Sequence, residues 1–401
     1  MMAAWQAAGN REGDSDQHIE YAFSDDGAAW TEPAAVELSD KAVWGPTLLV
    51  DEQADPSTVW MFYSESTGEC RGGPLEWPPG GDIKMVGYDL GTNEWGRPRK
   101  LLGIEADGGI PKVTANKPIA LSTGEWVLPF WRERALLNKK SRACGQLRGK
   151  GSAGVLISED KGRTWTAHGH LQGRRTWLIE NAVAERRDGS LLMVFRTQVD
   201  FVYFSVSNDK GKTWSEAKIL DRALPNPNAK TDLIALEPNK ELVLVYNDHP
   251  KARSSKELQQ QGCTKCRTNL RVAISYDDGA SWSKFSTLET QVGASLRFHY
   301  PTLLQAGCRL YVAYSKFYTK VSFFFLPNRR RARADAAALS SPRTAPEARR
   351  RKLREPGDQD RGPRPQLGGR RRQGVLRRGS SCWRHQQQRA TPSLARGAMT
   401  P

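Results

Sequence analysis

The chain of 401 residues carries 60 Lys and Arg against 44 Asp and Glu, a formal net charge of +16, and 38% of it is apolar. No apolar stretch reaches the roughly 18 residues that a membrane-spanning helix needs, so a membrane span is not expected. The charge invites a nucleic-acid reading, but roughly twenty Arg and Lys against about five acids fall between Asn328 and Pro401. The body is close to neutral, and nucleic-acid binding is not expected of it.

In chain order, Met2 to Trp5 reads as a strand that would be the second of its sheet, with no charged and apolar leader before it, so the compartment stays open. The polar loop Asn10 to His18 follows, and then Phe23 to Trp30 (FSDDGAAW), the first copy of a phrase of the form S-x-D-x-G-x-x-W. Further copies run from Ser158 to Trp165 (SEDKGRTW), Ser207 to Trp214 (SNDKGKTW) and Ser275 to Trp282 (SYDDGASW), with a degenerate one from Tyr88 to Trp95. Each places an Asp where its carboxylate accepts turn N–H groups, a Gly where positive φ is required, and a Trp that packs under the hairpin. The turn glycines Gly27, Gly162, Gly211 and Gly279 stand 135, 49 and 68 residues apart. Units of roughly 50 to 70 residues with about four short strands each are what propeller blades look like. The apolar runs Val59 to Tyr63, Trp126 to Trp131, Leu191 to Phe195 and Leu242 to Tyr246 are short and bounded by turn residues, which indicates strands and no long helix.

The expectation is therefore an all-β, six-bladed β-propeller over residues 1–320, incomplete at its N-terminus. Residues 321–401 form a low-complexity, Arg-rich tail, expected to be disordered or to be read-through of the coding sequence. Cys263 and Cys266 form a single C-x-x-C with no second pair, which reads as a loop thiol pair in preference to a zinc site.

The chemistry-bearing residues cluster in the second half. Glu180 precedes Arg187-Asp-Gly189 and the strand ending in Arg196; Arg271 opens the strand before the fourth copy, and Tyr300-Pro301 follows 29 residues on. Together with the repeated Asp-boxes, this order resembles the sialidase (neuraminidase) superfamily, in particular its broad sialidase-like group, over about residues 1–320. The resemblance implies a glycoside hydrolase that releases a terminal acidic sugar. Arg196 and Arg271 would grip the substrate carboxylate, because a guanidinium forms bidentate, charge-assisted bonds and keeps its charge. Tyr300 would be the nucleophile, with Glu180 accepting its proton; a neutral phenol approaches an anomeric carbon that bears a carboxylate with less repulsion than an anion. The acid/base would come from the loop before the first box, as Asp16 or Asp14, with Glu12 in reserve.

Asn116, Lys117 and Asn226 lie in polar loops suited either to sugar hydroxyls or to ordinary turn chemistry. Neither a metal nor an organic cofactor is expected, and the expected state is a monomer with a glycan partner. A catalytically silent propeller that binds carbohydrate or protein through the same channel is the alternative.

Overall fold

The structure, a computed structural model, describes residues 1–9, 12–53, 55–67, 79–133, 151–248, 267–290, 296–318 and 372–376. Among them the only regular helix is a short 3-10 turn, Ile104–Asp107, and no helix is long and apolar enough to cross a membrane.

The strands fall into antiparallel sheets taken in sequence order. The first holds β1 (Met2–Ala7), β2 (His18–Phe23) and β3 (Ala34–Val36). The second holds β4 (Val43–Asp51), β5 (Asp55–Glu65), β6 (Asp82–Asp89), β7 (Glu94–Trp95) and β8 (Arg99–Leu102). The third holds β9 (Lys112–Val113), β10 (Ile119–Ala120), β11 (Trp126–Arg132), β12 (Ser152–Ser158) and β13 (Thr166–Leu171). The fourth is β14 (Ile179–Glu185), β15 (Leu191–Arg196), β16 (Tyr203–Ser207) and β17 (Lys218–Ile219). The fifth is β18 (Asp232–Leu236), β19 (Glu241–Asn247), β20 (Leu270–Ser275) and β21 (Ser283–Glu289). Last comes the hairpin β22 (Leu296–Ala306) and β23 (Arg309–Tyr318), to which β24 (Arg372–Leu376) is added from far down the chain.

The arrangement is an all-β propeller, with five blades rather than the six expected. The shortfall has a local cause: five sheets are built from runs of neighbouring strands, whereas the repeat ends in a single hairpin. Within residues 321–401 the described segment is Arg372–Leu376, which pairs with Leu310–Tyr314. The rest of residues 321–401 lies outside the described residues, as do Cys70, Cys144, Cys263, Cys266 and Cys382, while Cys308 is disulfide-bonded.

The apolar clusters sit between sheets, not within them. Val127, Val155 and Ile157 of the third sheet pack with Val183, Met193 and Phe195 of the fourth. Ala182, Leu192 and Val194 pack with Leu233, Leu242 and Leu244 of the fifth, and Val243, Val245 and Val272 with Phe298, Leu303 and Val312 of the hairpin. The first sheet meets the hairpin in turn, because a Cβ added at Gly27 would lie 2.7 Å from the Tyr311 ring. Neighbouring sheets thus bury their facing sides against one another, and the approach of Gly27 to Tyr311 brings the first sheet to the last.

The Asp-boxes do what their composition dictates. In the three later copies the Gly N–H donates to the Ser hydroxyl, at 2.7 Å for Gly162 to Ser158 and 2.8 Å for Gly211 to Ser207 and Gly279 to Ser275. The hydroxyl in turn donates to the Asp carboxylate, and the indole N–H returns to the Gly carbonyl, as in Trp214 to Gly211 at 2.8 Å. In the first copy Ser24 and Asp26 take these roles, so this turn is one residue shorter and Phe23 is not in the serine position. Hydrogen bonds from Thr164 and Ser281 hold the Asp160 and Asp277 carboxyls down to about 2. A carboxyl whose folded-state pKa is depressed stabilises the fold above its ordinary range and loses that contribution as the pH falls toward the depressed value. The urea midpoint is therefore expected to drop steeply between roughly pH 4 and pH 2, and Asp160→Asn with Asp277→Asn is expected to flatten that drop.

Candidate active site

Glu180, Arg196, Arg267 and Tyr300 converge at one end of the sheets. Glu180 stands at the start of β14 and Arg196 at the end of β15, where the ladder pairs Ile179 with Arg196. Arg267 opens the described segment that leads to β20, and its carbonyl accepts a 2.8 Å bond from Phe298 N, which draws it against β22. The register slips between Ile179 and Ala182 on β14 and between His299 and Thr302 on β22. At these two bulges Glu180 and Tyr300 both adopt φ of 48°, and they are the two non-glycine residues with positive φ that fall inside described strands. Such backbone is costly for a residue with a Cβ, and it persists where the surroundings over-determine it.

The surroundings are visible. Asn116 Nδ2 donates to the Glu180 carbonyl at 2.8 Å and to the Thr231 carbonyl at 3.2 Å. Arg196 donates from Nη1 to Glu180 Oε1 at 2.7 Å and from Nε to Asn228 Oδ1 at 2.8 Å. Glu180 Oε2 is buried and has no hydrogen-bond partner among the described residues, which leaves one carboxylate oxygen available. Arg267 donates to the Asn228 carbonyl at 2.6 Å and lies 2.9 Å from His299 Nδ1, with its guanidinium carbon 5.9 Å from the Tyr300 ring centre.

Tyr300 keeps 38% of its surface accessible, yet its hydroxyl end is enclosed and interacts with both guanidinium groups. Burial raises its pKa, the negative charges of Glu180 and Glu12 raise it further, and Arg196 and Arg267 oppose them. Burial works against the charge on Arg196, but Glu180 and the Tyr300 oxygen more than offset it and its pKa is raised. For Arg267 burial leads, and with the neighbouring Arg196 it lowers the pKa.

Glu12 is the loop carboxylate that reaches this cluster. The residue is exposed; its carboxyl accepts a 2.8 Å bond from Gln6, and the charges of Glu180, Arg196 and Arg267 act on it. Loss of solvent around the carboxyl raises its pKa, so it holds its proton longer than a surface glutamate does. Asp16 instead accepts the Gly9 N–H at 2.8 Å and its carbonyl faces His18, while the Asp14 carbonyl accepts from Gln17 N. Neither is among the charges that act most strongly on Tyr300.

Arg271 stands apart. It pairs across the ladder with Tyr246 and forms a 2.9 Å ion pair with Asp248, which also holds Lys284. Four residues of extended chain separate it from Arg267, about 13 Å along a strand. The sequence signal for Arg267 was its place just before the strand, level with the start of β14 and the end of β15. Asn116 and Asn226 are buried framework groups: Asn226 donates to the Ala229 carbonyl at 2.6 Å and accepts from Asn247 N at 3.2 Å. Lys117 is held by Asp232 at 2.5 Å. A pocket lined by Arg132, Glu133, Ser152, Gln172, Thr176 and Trp177 opens beside Ile179, the neighbour of Glu180. Among the described residues no group of three or more His, Cys, Asp or Glu could hold a metal ion.

Comparison with known proteins agrees with this fold. The BNR repeat-like domain family matches residues 1–312. A sialidase of Bacteroides fragilis is 29% identical over 138 residues, 33% of this chain and 22% of its own, so the chain spans about a fifth of that relative's length in the match. A Dyadobacter fermentans protein of unknown function superposes with a TM-score of 0.59 at 18% identity, covering 79% of this chain and 87% of its own. A Hadza microbial sialidase gives 0.58 at 20% identity, covering 79% and 60%. The Trypanosoma rangeli sialidase in complex with the inhibitor DANA gives 0.56 at 18% identity, covering 79% and 50%. With its Asp-box turns and propeller ring, the chain belongs to the BNR repeat-like domain family.

Proposed function

We propose that this chain is a retaining glycoside hydrolase that releases a terminal acidic sugar of the sialic acid type from glycoconjugates. The observation that supports it most is the Tyr300 hydroxyl set between two guanidiniums and beside a buried glutamate with one unpartnered oxygen. Arg196 and Arg267 hold the substrate carboxylate by charge-assisted bonds. The Tyr300 oxygen attacks the anomeric carbon as its proton passes to Glu180, and the bond to the leaving oxygen breaks as Glu12 protonates it. Water then cleaves the tyrosyl intermediate, with Glu12 taking the water's proton and Glu180 returning one to the phenol. The pocket beside Ile179 takes the sugar's polar substituents.

The raised pKa of Glu12 suits a proton donor. With a fluorogenic sialoside, Glu12→Gln is expected to lower kcat by about 10²- to 10⁴-fold, the usual contribution of a positioned acid, with little change for Asp16→Asn. Arg267→Ala is expected to raise KM by about 10- to 100-fold, as loss of a hydrogen bond between charged groups does. Arg271→Ala, held by Asp248, is expected to leave KM within about twofold. Equal effects of the two arginine substitutions would overturn the assignment.

A second reading, a propeller that binds an acidic glycan without cleaving it, is favoured by Arg196 being already engaged with Glu180 and Asn228. Saturable binding of the sialoside with no turnover by the wild-type chain decides for it.

A further inference from the structure

The bulge that carries Tyr300 is not held by its own ladder. Between His299 and Thr302 the pairing of β22 with β23 is interrupted, and Pro301 has no N–H to give. Its carbonyl accepts a 2.7 Å hydrogen bond from Lys230 Nζ. Two residues on, the Leu303 N–H donates to Asp232 Oδ2 at 2.7 Å, and the same carboxylate lies 2.5 Å from Lys117 Nζ. Asp232 Oδ1 is taken by the N–H of Leu233. Lys230 and Asp232 are 3% and 1% exposed, so two charged side chains are buried and bound to two peptide groups that immediately follow one strained residue. A buried ammonium is expensive, and an apolar side chain would fill this space at lower cost if filling were its role.

We propose that Lys230 is a positioning residue for Tyr300: together with Asp232, whose counter-charge is Lys117, it fixes the bulge so that the phenol points between Arg196 and Arg267. This rests on the reading of Tyr300 as the nucleophile. Lys230 touches no reacting atom and acts through the Pro301 carbonyl. The groups that face it are Asp232 on β18, Lys117 on the segment before β10 and Glu180 on β14. Burial depresses its pKa to about 8, against the raising effect of Asp232 and Glu180 and with the help of Lys117. Above that value the ammonium becomes an amine, the bond to Pro301 loses its charge assistance, and the hold on the bulge slackens.

The test uses the full chain as wild type, Lys230→Met and Lys230→Arg, with Tyr300→Phe as the spectroscopic reference. The near-ultraviolet difference between wild type and Tyr300→Phe isolates the Tyr300 signal, and it is expected to show a step near pH 8 as Lys230 titrates. In Lys230→Met the step vanishes and the phenol ionises closer to the ordinary tyrosine range. On a fluorogenic sialoside, kcat falls about 100-fold with KM little changed, the usual result of a small misplacement of a reacting group. Lys230→Arg, which stays charged, restores most of kcat and carries it past pH 8.

A folded Lys230→Met chain, by its cooperative melt, with wild-type kcat and an unchanged Tyr300 titration overturns the proposal. Should that variant not fold, absence of the pH 8 step in wild type overturns it equally. The step without any sialoside turnover refutes the hydrolase reading and supports the positioning role.

Discussion

Tyr300→Phe is expected to lower sialoside turnover by about a thousandfold or more, while affinity for an unreactive acidic-sugar analogue changes by less than about tenfold. The substitution removes one oxygen. It leaves the ring that lies 5.9 Å from the Arg267 guanidinium and 5.8 Å from the His299 ring, so the packing around the bulge is retained. Arg196 and Arg267 keep their other partners, Glu180, Asn228 and His299, and remain in place to receive a carboxylate. The split between chemistry and binding is what identifies a nucleophile, because loss of a merely packed tyrosine moves both. Single-turnover kinetics beside calorimetric titration measures it, and a variant that turns over the sialoside at the wild-type rate sinks the assignment.

Arg196→Met is expected to destabilise the fold by about 3–5 kcal/mol, the cost of stranding one member of a buried ion pair. The side chains of Arg196 and Glu180 are 10% and 8% exposed and their contact is 2.7 Å, so water cannot easily replace the lost partner. Glu180→Gln costs less, about 1–3 kcal/mol, because the amide oxygen still accepts from the guanidinium. The pair Arg196→Met with Glu180→Leu is expected to recover part of the loss, since no buried charge is then left alone. A urea-denaturation cycle over wild type, Arg196→Met, Glu180→Leu and their double variant gives the coupling; additive effects would mean that the pair is bathed in solvent.

The parts of the fold that the sequence announces are those made by local hydrogen bonds. A Ser, an Asp and a Gly within five residues close the same turn wherever they occur, so the boxes at Ser158, Ser207 and Ser275 are legible. The first copy is misaligned by one residue, because Phe23 stands where the pattern asks for serine and only the folded turn shows that Ser24 takes its place. Glu180, Arg196 and Tyr300 are reached through order along the chain and do meet in space. The sequence points to Arg271, whereas the arginine beside Tyr300 is Arg267, four residues earlier, since a sequence shows that a strand exists more clearly than where it begins. Glu12 ranks only in reserve behind Asp16 and Asp14 in the sequence, because its hydrogen bond from Gln6 is a tertiary contact from β1 with no local signature. The expected sixth blade is not found, because a repeat of turns along the sequence does not report how many strands each unit completes; the pairing of β24 with β23 spans a long separation that no periodicity reports.

The two bulges have a consequence for how this chain tolerates change. At positions 180 and 300 the backbone sits where glycine is at ease and a side chain costs of order 1–3 kcal/mol. A drift toward glycine at either point would therefore relax the main chain and raise the melting temperature if nothing else depended on the side chain. The chain forgoes that gain twice, for a carboxylate at one bulge and a phenol at the other. At position 180 the relief is smaller than the cost of stranding the buried Arg196, so the opposition of stability and proposed chemistry is sharpest at Tyr300, where a thermostabilised variant that acquires Tyr300→Gly would have traded its phenol for a quieter fold.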